Sequence, residues 1–226
     1  VTCLARGQSG AAPEGARSLQ VDRSAPGAYD AADGDWDEVI EIAYAPELVE
    51  PALDALADRA AHWTLISTVS VYSDTTTPHA DETAEVVEPR DLAEYADAKV
   101  TAERATSARL PDRLLIARPG LIVGAGDPSD RFGYWPGRLS RGGRVLTPRT
   151  MDRFVQVSDV IDLATWVASA GAAGTTGVID AIGAVCPMDE FFEMACEAAG
   201  FEGELVGMDD DALLAHEVRY WSGPRS

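Results

Sequence analysis

Short strand-like runs alternate with helix-like segments along the chain, and this alternation limits the possible folds more than any other feature. Residues 63–68 and 113–117 are strand-length runs, whereas residues 48–60 carry apolar side chains at helical spacing and residues 91–108 are predicted as a helix with an Asp near its start. Such alternation predicts a parallel sheet covered by helices on both faces, with ligands at the carboxyl ends of the strands. The residues just past these predicted ends are Arg6, Asp22, Ala43, Thr68 and Pro119.

Further elements follow from the same reading. Strands are predicted at residues 1–5, 19–22, 36–43 and 177–182, helices at 159–170 and 188–199, and a long loop at 124–143. The chain has 226 residues, of which 46% are hydrophobic, enough to bury the core of one domain with a smaller appendage.

The charge balance restricts the class of partner. The chain has 18 basic and 38 acidic residues, and its net charge of -20 disfavours nucleic-acid binding. No apolar run reaches the ~20 residues of a membrane span, and no signal peptide begins the sequence, so we expect a cytoplasmic protein. Three scattered cysteines without CxxC spacing predict free thiols rather than a disulfide framework or a metal site.

Tyr95 and Lys99 form the most chemically suggestive pair. Lys99 is the only lysine in the chain, and it follows Tyr95 by four residues, so a helix would present both side chains on one face. An ammonium close to a phenol favours the phenolate, which suits proton transfer. A surface lysine beside a half-buried tyrosine would have the same spacing, so the spacing alone does not show that the pair is catalytic. Other motifs in the chain are needed to distinguish the two cases.

Four motifs in order supply that context. The strings ISTVSVYSD (66–74), YADAK (95–99), LIARPGLIVGAGD (115–127) and DRFVQVSDVIDLA (152–164) resemble those of the extended or atypical short-chain dehydrogenases/reductases. This group is also called the NAD-dependent epimerase/dehydratase family. The resemblance covers essentially the whole chain and implies a Rossmann-like, doubly wound parallel α/β sheet.

The resemblance also implies catalytic roles. Tyr95 would be the general acid/base, Lys99 would lower its pKa and hold the nicotinamide ribose, and Thr68 would hydrogen-bond the substrate carbonyl, with Ser70 as the fallback. The implied activity is an NAD(P)-dependent oxidoreductase that interconverts a carbonyl and a secondary alcohol. Its partner would be a small-molecule substrate, and the resemblance allows a homodimer.

Cofactor contacts carry over in the same way. Arg6 stands where an acidic residue would grip the ribose of NAD, so NADP is preferred to NAD. Asp22 resembles the adenine-contacting residue of the family, and Arg23 lies beside it. The remaining expected cofactor contacts are Ala43, Tyr44, Tyr95, Lys99, Pro119, Gly120, Leu121 and Ile122.

The sequence departs from the family pattern in two places that bear on its structure and its reaction. No counterpart of the first strand, glycine-rich turn and helix precedes Val1, so we expect a chain trimmed at the N-terminus, with its sheet short of a central strand, and also at the C-terminus. Val69 and Ser70 replace the acidic pair of the sugar-nucleotide dehydratases, which argues against elimination chemistry.

The expected domains are a dinucleotide-binding domain at 1–123 and 155–185 and a partial substrate cap at 124–154 and 186–226. In that cap Tyr134 and Trp135 would either stack on a substrate ring or pack the cap. Alternative functions are a nucleotide-sugar epimerase, or a non-catalytic dinucleotide-binding or RNA-binding relative.

Overall fold

The computed structural model describes residues 1–8, 10–77, 79–127, 129 and 131–215. Its strands are β1 (Thr2–Ala5), β2 (Arg17–Gln20), β3 (Trp36–Glu41), β4 (Ala60–Ile66), β5 (Leu114–Ala117), β6 (Leu121–Val123), β7 (Gly143–Pro148), β8 (Phe154–Asp159), β9 (Gly177–Ile179), β10 (Val185–Pro187) and β11 (Gly203–Met208). Its helices are α1 (Pro46–Leu56), α2 (Tyr95–Arg109), α3 (Tyr134–Leu139), α4 (Val160–Ala172), α5 (Met188–Ala199) and α6 (Asp210–Ala215).

The chain forms two compact units. The first contains Val1–Gly120 and Asp162–Ala181, and the second contains Leu121–Ile161 and Ile182–Ser226. Residues 216–226, which the sequence assigns to the cap and to a trimmed C-terminus, lie outside the described residues.

A four-stranded parallel sheet organises the first unit, in the order β3-β4-β5-β9. Trp63 and Leu65 of β4 are fully buried, as is Leu115 of β5, because helices cover this sheet. On its two inner strands only Ala61, near the start of β4, is exposed. The apolar runs that predicted these strands are therefore explained by burial on both faces.

A second, separate parallel sheet in this unit joins β1 only to β2 among the described strands. Leu4, Leu19 and Val39, from β1, β2 and β3, nevertheless pack against one hydrophobic cluster. Ile40 and Ile42 are 48% and 69% exposed. The first unit therefore contains two separate parallel sheets around one hydrophobic cluster, with apolar side chains at and just after the end of β3 exposed.

Several element boundaries differ from the sequence prediction. Helix α2 begins at Tyr95 rather than Asp91, because the Asp97 carboxylate accepts hydrogen bonds from the backbone N–H groups of Arg90 and Asp91 and holds them in the preceding turn. Strand β4 ends at Ile66, which leaves Thr68 beyond it as the N-cap of a 3-10 turn, Val69–Val71.

The second unit has two small sheets. Strand β8 pairs with β6 in parallel and with β10 antiparallel, while β7 and β11 form a parallel pair. Helix α3 lies inside the stretch predicted as loop. Trp135 is 1% exposed, and its ring meets Phe192 edge-on at 4.8 Å, so it packs the core of this unit.

No helix in the described part of the chain is both long and apolar enough to cross a membrane. Cys3, Cys186 and Cys196 are half-buried free thiols, as predicted, although none is fully buried.

Candidate active site

Helix α2 places Tyr95 and Lys99 one turn apart, as their spacing predicts. Lys99 is 3% exposed, and its Nζ donates a 2.6 Å hydrogen bond to the carbonyl oxygen of Ile66, the last residue of β4. Tyr95 is 46% exposed. The pair therefore lies at the carboxyl end of a central strand, with the lysine buried and the tyrosine partly exposed.

Tyr44 brings a third side chain to this pair. Its ring meets the Tyr95 ring edge-on, with centroids 5.1 Å apart, and the Lys99 Nζ lies 5.0 Å from the Tyr44 centroid and 5.8 Å from that of Tyr95. An ammonium over an aromatic face is attracted by the ring quadrupole. Lys99 is thus held between a backbone carbonyl and two aromatic rings.

The charge on Lys99 is costly where it lies. Burial lowers the pKa of Lys99 to about 8, and the carboxylates of Glu41 and Glu103 partly oppose that shift. An ammonium with this pKa is largely charged at neutral pH but gives up its proton more readily than a surface lysine.

Thr68 lies close by along the chain, two residues beyond Ile66. Its Oγ1 accepts a hydrogen bond from the Ser70 N–H at 3.1 Å, and its hydroxyl lies 3.2 Å from the Ser70 Oγ. The N–H of Val69 donates to the carbonyl oxygen of Pro119 at 3.0 Å. These bonds hold the candidate hydroxyls at the joined ends of β4 and β5.

A pocket of about 590 Å³ lies at the ends of β1 and β2. Arg6, Asp22 and Arg23 all line it, so the structure brings together the three residues expected at the adenosine end of a cofactor. Hydrogen bonds from the Ser24 hydroxyl and N–H lower the pKa of Asp22, with a smaller contribution from the charge of Arg6.

The guanidinium of Arg23 is already engaged. It forms a two-bond ion pair with the buried carboxylate of Glu41, in which Nη1 donates at 3.0 Å, and its Nε donates to the Tyr29 hydroxyl at 2.9 Å. Glu41 in turn accepts from the Ala43 N–H at 2.7 Å. Arg23 thereby anchors the segment that leads to Tyr44, and its charge is compensated.

The expected contacts around the nicotinamide fall into both units. Pro119 and Gly120 belong to the first unit, whereas Leu121 and Ile122 belong to β6 of the second unit and pair with Val157 and Ser158.

Sequence reasoning missed a buried group in the first unit, formed by Glu103, Arg118, Tyr72 and Asp180. One signal was available, because Glu103 follows Lys99 by four residues and so continues the helical stripe of Tyr95 and Lys99. The other members lie on different elements, and no local spacing connects them.

The geometry described above defines a Rossmann-like α/β fold, and solved structures that share it include dTDP-4-dehydrorhamnose reductases and UDP-sugar 4-epimerases. A dTDP-4-dehydrorhamnose reductase from Bacillus anthracis in complex with NADP matches with a TM-score of 0.71 at 13% identity, covering 99% of this chain and 87% of that one.

Two further structures match over similar lengths. RMD from Pseudomonas aeruginosa, complexed with NADPH, has a TM-score of 0.65 and 22% identity, covering 100% of this chain and 95% of its own. A UDP-glucose 4-epimerase from Thermus thermophilus in complex with NAD has a TM-score of 0.64 and 16% identity, covering 98% and 88%. No protein-family model and no curated protein matches this sequence. The likeness establishes the fold that the sequence resemblance predicted.

Proposed function

We propose that this protein is an NAD(P)-dependent oxidoreductase of the short-chain dehydrogenase/reductase type that interconverts a carbonyl and a secondary alcohol. The observation that carries the proposal is the buried Lys99 ammonium, held at the end of β4 beside an exposed Tyr95. Solved structures with this fold hold NADP, NADPH or NAD, which supports the choice of cofactor.

Tyr95, Lys99 and Thr68 would each have a separate role in proton transfer to and from the substrate oxygen. The Tyr95 phenol donates its proton to the substrate oxygen during reduction and accepts it during oxidation. The positive charge of Lys99 stabilises the phenolate that this transfer leaves on Tyr95. Thr68 donates a hydrogen bond to the substrate oxygen and orients it. The nicotinamide cofactor, when bound, supplies or accepts the hydride.

The residues that line the pocket at the ends of β1 and β2 fit the adenosine end of a dinucleotide. Arg6 is exposed at its edge, where a guanidinium suits the 2′-phosphate of NADP, so NADP is the preferred cofactor. Asp22 would contact the adenine, while the paired guanidinium of Arg23 would act by shaping the pocket. Ala43, Tyr44, Pro119 and Gly120 would line the nicotinamide half within the first unit.

A nucleotide-sugar epimerase is the second candidate, because solved 4-epimerases share the fold. Such an enzyme returns the hydride to the same substrate and so keeps its cofactor. Cofactor that co-purifies with the protein and never exchanges with added NADPH would favour this function over a reductase.

The deciding experiment uses the natural full-length protein, NADPH and dTDP-4-dehydrorhamnose, with loss of NADPH absorbance as the readout. We expect turnover by the wild type and a fall of about 100- to 10,000-fold in Tyr95→Phe, the range typical of a lost general acid/base. The affinity for NADPH, measured by fluorescence titration, should stay within about twofold, since only one hydroxyl is removed. Unchanged turnover in the variant would exclude Tyr95 from the chemistry.

A further inference from the structure

The guanidinium of Arg118 is the centre of a buried polar group in the first unit. Its Nε and Nη2 donate to the two carboxylate oxygens of Glu103 at 3.0 and 2.7 Å, and its Nη1 donates to the Tyr72 hydroxyl at 3.0 Å. That hydroxyl donates in turn to the Asp180 carboxylate at 2.7 Å. Arg118, Glu103 and Tyr72 are 5%, 6% and 9% exposed.

These contacts join the two elements that carry the candidate catalytic residues. Glu103 lies on α2, one turn beyond Lys99, and Tyr72 ends the 3-10 turn that Thr68 begins. The backbone of Arg118 is itself fixed, because its N–H donates to Ile179 and its carbonyl oxygen accepts from Ala181. One side chain on a strand end therefore binds both α2 and the Thr68 turn.

We propose that Arg118 and Tyr72 are positioning residues, which hold the Thr68 turn and helix α2 in one fixed relative position for the reaction proposed above. The inference rests on that proposed function. Catalytic groups must be held to within about 0.5 Å of their productive positions, and supporting hydrogen bonds of this kind provide that precision.

The Tyr72 hydroxyl and the Arg118 guanidinium both keep their protons at neutral pH, as residues with a positioning role require. Burial and the hydrogen bond to Asp180 raise the pKa of Tyr72 to about 12, although Arg118 opposes the shift, so the hydroxyl keeps its proton at neutral pH. Burial disfavours the charge on Arg118, but its hydrogen bonds to Glu103 and Tyr72 outweigh this effect and raise its pKa. The Tyr72 hydroxyl and the Arg118 guanidinium thus keep their protons, and remain donors, across the working pH range.

The group is also close enough to influence Lys99. The charged and titratable groups that face Lys99 are Glu103 on its own helix, Glu41 on β3, and the phenols of Tyr44 and Tyr95. Of the two carboxylates, Glu103 belongs to the Arg118 group, whereas Glu41 pairs with Arg23.

The first test is Tyr72→Phe, which removes one hydroxyl and keeps the ring and both charges of the Arg118–Glu103 pair. With NADPH and dTDP-4-dehydrorhamnose, we expect kcat to fall about tenfold while KM for NADPH stays within about twofold, because the defect lies in alignment rather than in binding. The matched control is Glu88→Gln, which breaks the exposed ion pair of Arg104 on the same helix and should leave kcat unchanged. A Tyr72→Phe variant with wild-type kcat would overturn the proposal.

The second test does not depend on activity. Because Lys99 is the only lysine, an isotope label on lysine Cε yields a single side-chain signal by NMR, and titrating that signal measures the Lys99 pKa. In Glu103→Gln we expect the Lys99 deprotonation constant to rise about tenfold, since a carboxylate is lost and the positive charge of Arg118 is left without its charge partner. An unchanged constant would overturn the coupling of the Arg118 group to the site.

The two measurements separate the two proposals. A wild-type protein without hydride transfer, whose Lys99 titration still responds to Glu103→Gln, would refute the proposed function and keep the coupling. Normal turnover in wild type and in Tyr72→Phe would keep the function and refute the positioning role.

Discussion

The side chain of Lys99 on α2 donates a 2.6 Å hydrogen bond to the backbone carbonyl of Ile66 at the end of β4. This bond ties the only lysine of the chain to the strand edge that precedes Thr68, and it leaves the ammonium 3% exposed. An ammonium is costly to bury, so its presence there is better explained by function than by stability.

Replacing Lys99 with Met should therefore stabilise the protein at neutral pH. Burial lowers the Lys99 pKa from 10.5 to about 8, so the folded state is penalised wherever the lysine is protonated. The penalty is complete below about pH 8 and disappears as pH rises through 10.5. We expect the variant to gain about 2 kcal/mol in free energy of unfolding at pH 7 and to lose this advantage at high pH.

Urea unfolding of wild type and Lys99→Met at a series of pH values measures this difference. A variant that is less stable than wild type at pH 7 would show that the contacts to Ile66 and Tyr44 outweigh the cost of burial.

Substitutions at Thr68 should separate its structural role from its catalytic one. Thr68→Ala removes the acceptor for the Ser70 N–H, so we expect a loss of about 1 kcal/mol in stability. Loss of a hydrogen bond to the developing charge should also reduce kcat about 100-fold. Thr68→Ser should keep both properties, and a loss of kcat in Ser70→Ala alone would transfer the catalytic role to Ser70.

Arg6→Ala tests the cofactor preference. We expect the KM for NADPH to rise about tenfold and the KM for NADH to change less than twofold, because only NADPH carries the 2′-phosphate that the guanidinium would bind. Arg17→Ala, on the neighbouring strand β2, is the control and should leave both values unchanged. Equal effects of Arg6→Ala on the two cofactors would show that Arg6 does not read the phosphate.

The Glu41 carboxylate should be important for stability. Glu41→Gln leaves the Arg23 guanidinium, 17% exposed, without its charge partner, and we expect a loss of about 3 kcal/mol in the free energy of unfolding. Glu88→Gln is the matched comparison, because Arg104 and Glu88 are 52% and 72% exposed, and it should leave the free energy of unfolding nearly unchanged. Equal losses in urea unfolding would show that the Arg23–Glu41 pair is no more important than a surface pair.

Much of the fold could be predicted because the relevant signals are local. The apolar runs of β4 and β5 mark strands buried on both faces, and α5 begins and ends at the predicted residues. Short elements escaped prediction, among them β6, β7 and α3, because runs of three to six residues carry too little periodicity to stand out from loops.

The sequence by itself determined that Tyr95 and Lys99 share a helix face, because a spacing of four residues is set by the geometry of a single helix. Only the tertiary structure decided that Lys99 is buried against Ile66 and that Arg118 joins Glu103 to Tyr72. It also decided that Arg23 pairs with Glu41. These partners are 15 to 46 residues apart in the chain. Contacts over such separations depend on how strands and helices pack, and no local pattern encodes them.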